Sequence, residues 1–164
     1  MTVQKTHRRM NKAIRLALSG DAEGILAAAH EILSTRISNG NALSSPASVR
    51  DYLHLLLHNR EHEVFVVVLL DARNRVLATD ELFRGTLTQT SVYPREIVKL
   101  ALRHNAASVI LAHNHPSGVA EPSQADRLLT CSLKQALALV DVRVLDHFVV
   151  AGATAFSFAE RGLL

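Results

Sequence analysis

The sequence predicts an α/β fold, a mixed β-sheet flanked by helices, preceded by a short helical N-terminal extension. From residue 47 onward, short β-branched runs such as Val64–Leu70 alternate with helix-length stretches. That alternation is how sheets covered by helices are built. Residues 1–46 contain no such run and read as helical and polar. The chain has 164 residues, 48% hydrophobic and 20% charged, which suffices for one ordinary domain with a small helical appendage.

In the extension, Ile14, Leu16 and Leu18 precede Gly20-Asp21, and Asp21 reads as the N-cap of a second helix through Ile25, Leu26, Ala29 and Ile32. Turn formers then gather in Ser38-Asn39-Gly40-Asn41 and Ser44-Ser45-Pro46, so the expected division is 1–46, extension and linker, and 47–164, the main domain. A helix over 49–58 carries Tyr52, Leu53, Leu56 and Leu57 on one side. Val64–Leu70, continuously apolar and rich in Val, predicts a strand buried on both faces. Asp71-Ala72-Arg73-Asn74 reads as a turn into a partner over 75–79, with further strands expected over 81–83 and 87–91. Pro94 stands at the first position of a helix whose Ile97, Val98, Leu100, Ala101 and Leu102 face a core. A short strand over 108–112 ends at His113. A loop with Pro116, Gly118 and Pro122 leads to a helix over 124–139, and strands over 142–150 and 155–158 close the chain.

Composition excludes several function classes. Cys131 is the only cysteine, so neither an intrachain disulfide nor a cysteine zinc finger is available, and a reduced, cytoplasmic setting is expected. No apolar run approaches the roughly 20 residues that span a bilayer. The basic N-terminus is not followed by the apolar segment of a secretory signal. The net charge is +3, and Lys5, Arg8, Arg9 and Lys12 form a basic arm that reads either as a phosphate-contacting patch or as a solvated helix face. Trp is absent and Tyr occurs twice, which argues against a base-stacking platform for single strands. Nothing in the sequence sets an oligomeric state.

The chemistry concentrates between Leu111 and Asp126. His113 and His115 are two apart where an apolar strand runs out, so in extended backbone their imidazoles share a face. Asp126 lies in the first turn of the next helix, close to where the loop returns. Two imidazole nitrogens and a carboxylate oxygen are the donor set of catalytic zinc sites, which keep a fourth position for water, whereas structural sites are closed by four protein ligands. Ser123-Gln-Ala-Asp126 equally fits a plain helix-capping signature, and a His-x-His pair alone is commonly surface or core decoration.

The spacing His-x-His, seven residues, Ser, two residues, Asp is similar to the JAMM motif of MPN-domain metalloproteins, and His113, His115, Ser123 and Asp126 fit it without a gap. The wider text, AHNHPSG, EPSQAD and VRVLDHFVV, resembles the RadC family within that superfamily, over roughly residues 47–164. The resemblance implies an MPN/JAB-like fold with cytidine-deaminase-like layering. It also implies one zinc ion per chain, held by His113, His115 and Asp126, with Ser123 steadying a tetrahedral intermediate. The family's water-polarising Glu precedes the first core strand, which points to Glu63, with Glu61 as the near alternative and Glu96 as a third. By the same resemblance His147 orients a ligand or touches substrate; read on its own it is equally a satisfied core histidine, and Ser117 and Gly118 read as shaping the loop. Longer RadC-type proteins resemble fusions with a helix-hairpin-helix module, for which residues 1–46 are too short.

The activity these residues imply is a zinc-dependent hydrolase of JAMM type, a metallopeptidase or isopeptidase acting on a peptide or protein substrate. Two other classes stand beside it. One is a nucleic-acid-associated accessory protein, after the family's DNA-repair label; the other is a metal-binding MPN scaffold without turnover, against which a complete donor set argues.

Overall fold

The structure, a computed structural model, describes residues 43, 45–57, 60–84 and 92–164, with part of 11–32. The strand expected over 87–91, the basic residues Lys5, Arg8, Arg9 and Lys12, and most of the turn-rich stretch before Pro46 lie outside the described residues. The chain divides into two compact units, Met1–Asn41 and Ala42–Leu164. In the first, helical segments flank a turn at Ser19-Gly20, and Asp21 Oδ1 accepts from the Gly24 N–H at 2.9 Å. That bond caps the second segment.

The second unit is ordered α1 (Pro46–Leu57), β1 (Val64–Leu70), β2 (Val76–Arg84), α2 (Pro94–Arg103), β3 (Ser108–Asn114), α3 (Gln124–Ala138), β4 (Arg143–Ala151) and β5 (Thr154–Ser157). The strands form one mixed sheet in the order β2-β1-β3-β4-β5, in which only β3 and β4 are parallel. This is the α/β sheet with flanking helices that the alternation of elements predicts. Strand β3 runs on to Asn114, past the expected residue 112, and α3, β4 and β5 differ by a residue at their ends; two larger differences have a physical cause. Helix α1 begins at Pro46, ahead of the expected residue 49, because Ser45 and Pro46 start the helix: the Ser45 hydroxyl accepts from the Ser48 N–H at 3.2 Å. The strands expected over 75–79 and 81–83 are one strand, β2, with irregularities where Phe65/Val66 and Leu69/Leu70 of β1 face it. Its polar Thr79-Asp80-Glu81 interrupts the apolar alternation without ending the strand, because β2 lies at the edge of the described sheet.

Strand β1 is the centre of the fold. All seven of its residues are buried, each fully buried Val or Leu being worth about 1.5–3 kcal/mol. Phe65, Val67 and Leu69 face a cluster that includes Ile97, Leu100 and Ala101 of α2, Leu133 and Leu137 of α3, and Val109 and Leu111 of β3. The alternate residues face α1, whose Tyr52 donates to Thr79 Oγ1 at 2.8 Å, opposite Val68. Helices therefore cover both faces, which is why β1 tolerates no polar residue. The antiparallel register sets Phe65 opposite His113, and the parallel register sets Leu111 beside His147. Both histidines thus project from the face that packs on α2 and α3. Among the described residues no helix is long and apolar enough to cross a membrane.

Candidate metal centre

Strand β3 delivers His113 fully buried at its end. Extended backbone continues one step further, because the His115 N–H donates to Val150 O at 2.8 Å, and His115 reaches the same face partly exposed. The chain then turns at once: the Gly118 N–H donates to His115 O at 3.1 Å, with Gly118 at φ +81°, a conformation that favours glycine. Ser117 Oγ accepts from the Val119 N–H at 3.4 Å within this turn. The turn returns the chain to Ser123, the N-cap of α3. Asp126, three residues on, closes a reciprocal capping box, accepting from the Ser123 N–H at 2.7 Å and the Ser123 hydroxyl at 2.6 Å. The carboxylate that closes the cap is also the one that faces His113 and His115.

Hydrogen-bond partners assign the imidazole tautomers. Thr130 Oγ1 donates its single proton to Asp126 O at 2.6 Å, so at its 2.6 Å contact with His147 Nδ1 the hydroxyl accepts and Nδ1 carries hydrogen. His147 is fully buried against Phe65 and Phe158. Burial first, and then the neighbouring His113, hold its pKa well below the usual histidine range, so it is neutral. Its Nε2 therefore accepts, and His113 Nδ1–H donates to it at 2.9 Å. On the other side, His115 Nδ1 lies 2.8 Å from Val119 O, which can only accept. Both Nδ1 protons are thus committed outward, and both Nε2 lone pairs face inward.

These two nitrogens lie 3.0 Å apart, with Asp126 Oδ1 3.2 Å from His113 Nε2 and Oδ2 3.6 Å from His115 Nε2. Three acceptors at such separations repel one another unless a cation or a proton lies between them. The hydrogen bond to Asp126 is the main cause that raises the His115 pKa, against the opposing effect of burial. For Asp126, burial pushes upward, but the facing imidazoles of His113 and His115 outweigh it and hold the carboxyl far below its ordinary range. The spacing also suits a metal: donors about 2.0–2.1 Å from a tetrahedral zinc ion stand about 3.3 Å from one another. Among the described residues these three form the cluster able to hold such an ion.

Residues 43–163 match the family description RadC-like JAB domain. The chain belongs to the RadC family. RadC-family relatives described as UPF0758 proteins include one from Thiobacillus denitrificans, 66% identical over 142 residues, which cover 87% of this chain and 63% of the relative. One from Nitrosospira multiformis is 63% identical over the same shares, and one from Aromatoleum aromaticum is 61% identical over 150 residues, 91% of this chain and 67% of the relative. The chain thus spans about 63% of the length of the first two.

In this RadC-family chain the other expected site residues separate clearly. Glu63 precedes β1 and extends the register that pairs Phe65 with His113, so by strand parity it falls beside His115, and its charge helps raise the His115 pKa. Glu61 is exposed in the bend before it. Glu96 lies on the surface of α2, where Lys99 at 3.0 Å and Arg95 at 3.4 Å engage its carboxylate, the first mainly responsible for its lowered pKa. It makes no contact with the His113, His115 and Asp126 cluster among the described residues. A shallow cavity of about 210 Å³ opens beside His115, with Leu57, Val150 and Arg60 in its lining. Sequence reasoning missed two groups. Thr130 fixes the His147 tautomer, and Asn114, between the two histidines, binds the backbone on both sides of Glu63. Only the position of Asn114 inside His-Asn-His hinted at its part.

Proposed function

We propose that the Ala42–Leu164 unit is a zinc-dependent hydrolase that cuts amide bonds of a peptide or protein substrate, as a peptidase or isopeptidase. The observation that carries this reading is the convergence of His113 Nε2, His115 Nε2 and the Asp126 carboxylate, each nitrogen freed by a proton donated elsewhere by its ring. A zinc ion held by these three would lower the pKa of a water from about 16 to about 7. Glu63, set beside His115 by the β1–β3 register, takes the proton of the attacking water and returns it to the leaving amine. The Ser123 hydroxyl donates its one proton to Asp126 Oδ2, and with that carboxylate engaged by the ion the same proton would turn to the developing oxyanion.

Metal analysis of the purified chain tests this. About one zinc per chain is expected, lost in His113→Ala and Asp126→Ala and kept in Glu63→Gln. A panel of fluorogenic peptide and isopeptide substrates should be cut by the wild type and, on the order of 10²–10⁴-fold more slowly, by Glu63→Gln. Full zinc content in both ligand variants would overturn the reading.

A further inference from the structure

Asn114 lies between two residues with an evident chemical use, yet its own side chain points to the other face of the sheet. It is buried, 4% exposed, and its amide makes two long-range bonds: Oδ1 accepts from the Val64 N–H at 2.8 Å, and Nδ2 donates to His62 O at 3.1 Å. These are the backbone groups immediately after and immediately before Glu63. The β1–β3 ladder runs from Leu70↔Ser108 to Phe65↔His113 and stops there. One step further, the side-chain amide of Asn114 takes the place of a peptide group, offering one donor and one acceptor where the ladder has ended.

We infer that Asn114 is the positioning residue of Glu63: its amide continues the β1–β3 pairing by one residue and so holds the Glu63 backbone at the metal centre. This rests on the role given to Glu63 in the proposed function. Without the bracket the His62–Val64 segment would have no partner on the β3 side. The preceding residues 61 and 62 form a bend, and β1 proper begins only at Val64. Geometry also explains the residue type. Alanine supplies neither bond. Aspartate keeps the acceptor but sets a carboxylate against the His62 carbonyl. Glutamine places the same amide one methylene too far out to make both bonds. The two histidines and the asparagine between them therefore divide their work by strand parity: the imidazoles go to the ion, and the amide goes to the base.

The test uses the full chain loaded with cobalt(II), so that no substrate is needed. Three quantities are read: metal per chain, amide hydrogen exchange at Val64, and the midpoint of the pH-dependent change in the visible cobalt spectrum. Glu63→Gln, which removes a negative charge beside the ion, should move that midpoint to lower pH by about one unit. Asn114→Ala should keep one cobalt per chain, speed Val64 exchange at least about tenfold, and reproduce the midpoint displacement of Glu63→Gln. The double variant should move it no further. If Asn114→Ala does not fold, Asn114→Gln serves, with the same three expectations. A Glu63→Gln midpoint that moves while the Asn114 variant's stays at the wild-type value would overturn this inference alone. A Glu63→Gln midpoint that does not move would overturn the role of Glu63, and this inference with it.

Discussion

Replacing Thr130 by Val removes one hydroxyl and almost no volume, yet the structure makes that hydroxyl the origin of the tautomer chain that ends at His113 Nε2. Thr130 Oγ1 makes two contacts of 2.6 Å, to Asp126 O and to His147 Nδ1. The first is easily spared, because Asp126 O remains an internal carbonyl of α3. The second is not, because His147 is 0% exposed and its Nδ1–H would face no acceptor. Leaving that donor unsatisfied costs about 1–3 kcal/mol. The alternative is for His147 to move its proton to Nε2, which turns His113 Nδ1 into an acceptor and sends the His113 proton to Nε2, the atom that faces Asp126. A protonated nitrogen does not bind metal. By this second route zinc affinity should fall about 10–100-fold, whereas the first shows as lost stability. The melting temperature of the metal-free chain should fall roughly 2–4 °C for each kcal/mol lost. Competition with a chromophoric chelator gives the first quantity, and thermal unfolding in a strong chelator gives the second. Thr130→Ser, which keeps the hydroxyl, should bind zinc nearly as the wild type does. A Thr130→Val chain with wild-type affinity and wild-type melting temperature would refute the tautomer chain.

Ser123→Ala removes the side-chain half of the capping box, so α3 should lose about 1 kcal/mol, and zinc should bind more weakly because Asp126 Oδ2 loses the Ser123 hydroxyl and keeps only the backbone N–H of residue 123; equal loss of stability with unchanged zinc affinity would leave only the capping duty. Zinc affinity should depend on pH with a definite sign. The His115 pKa is raised, chiefly by Asp126, so a proton must leave as metal enters. Affinity should therefore be constant above that raised pKa and fall about tenfold per pH unit below it, and a dissociation constant flat from about pH 5 to 8 would contradict the inward-facing lone pairs. The metal contents of His113→Ala, Asp126→Ala and Glu63→Gln, and the cobalt spectra of the Asn114 variants, complete the set.

Much of the fold is written in local patterns. The unbroken Val64–Leu70 run means burial on both faces, and Pro94 and Ser123 mark where α2 and α3 start. The donor cluster is equally local, because one strand end, one loop and one helix turn carry His113, His115 and Asp126. What escapes a reading of the sequence is long-range. Asn114 meets the Glu63 segment across 50 residues, and Thr130 meets His147 across 17, so no spacing announces either. The continuity of β2 is hidden for a different reason: an edge strand can carry Thr79, Asp80 and Glu81 in a row, since its ladder hydrogen bonds to β1 hold it regardless of side-chain polarity.

The donor set also differs from the base in what it costs the chain to assemble. Residues 113–126 close on themselves through a short loop, an entropically small step, whereas Glu63 reaches its place only when β1 has joined β3. Sequence-local closures form before long-range pairings in small domains. Topology therefore separates assembly of the His113, His115 and Asp126 cluster from placement of Glu63, and loosening the start of β1 would displace Glu63 while the strand, loop and helix turn still hold the other three together.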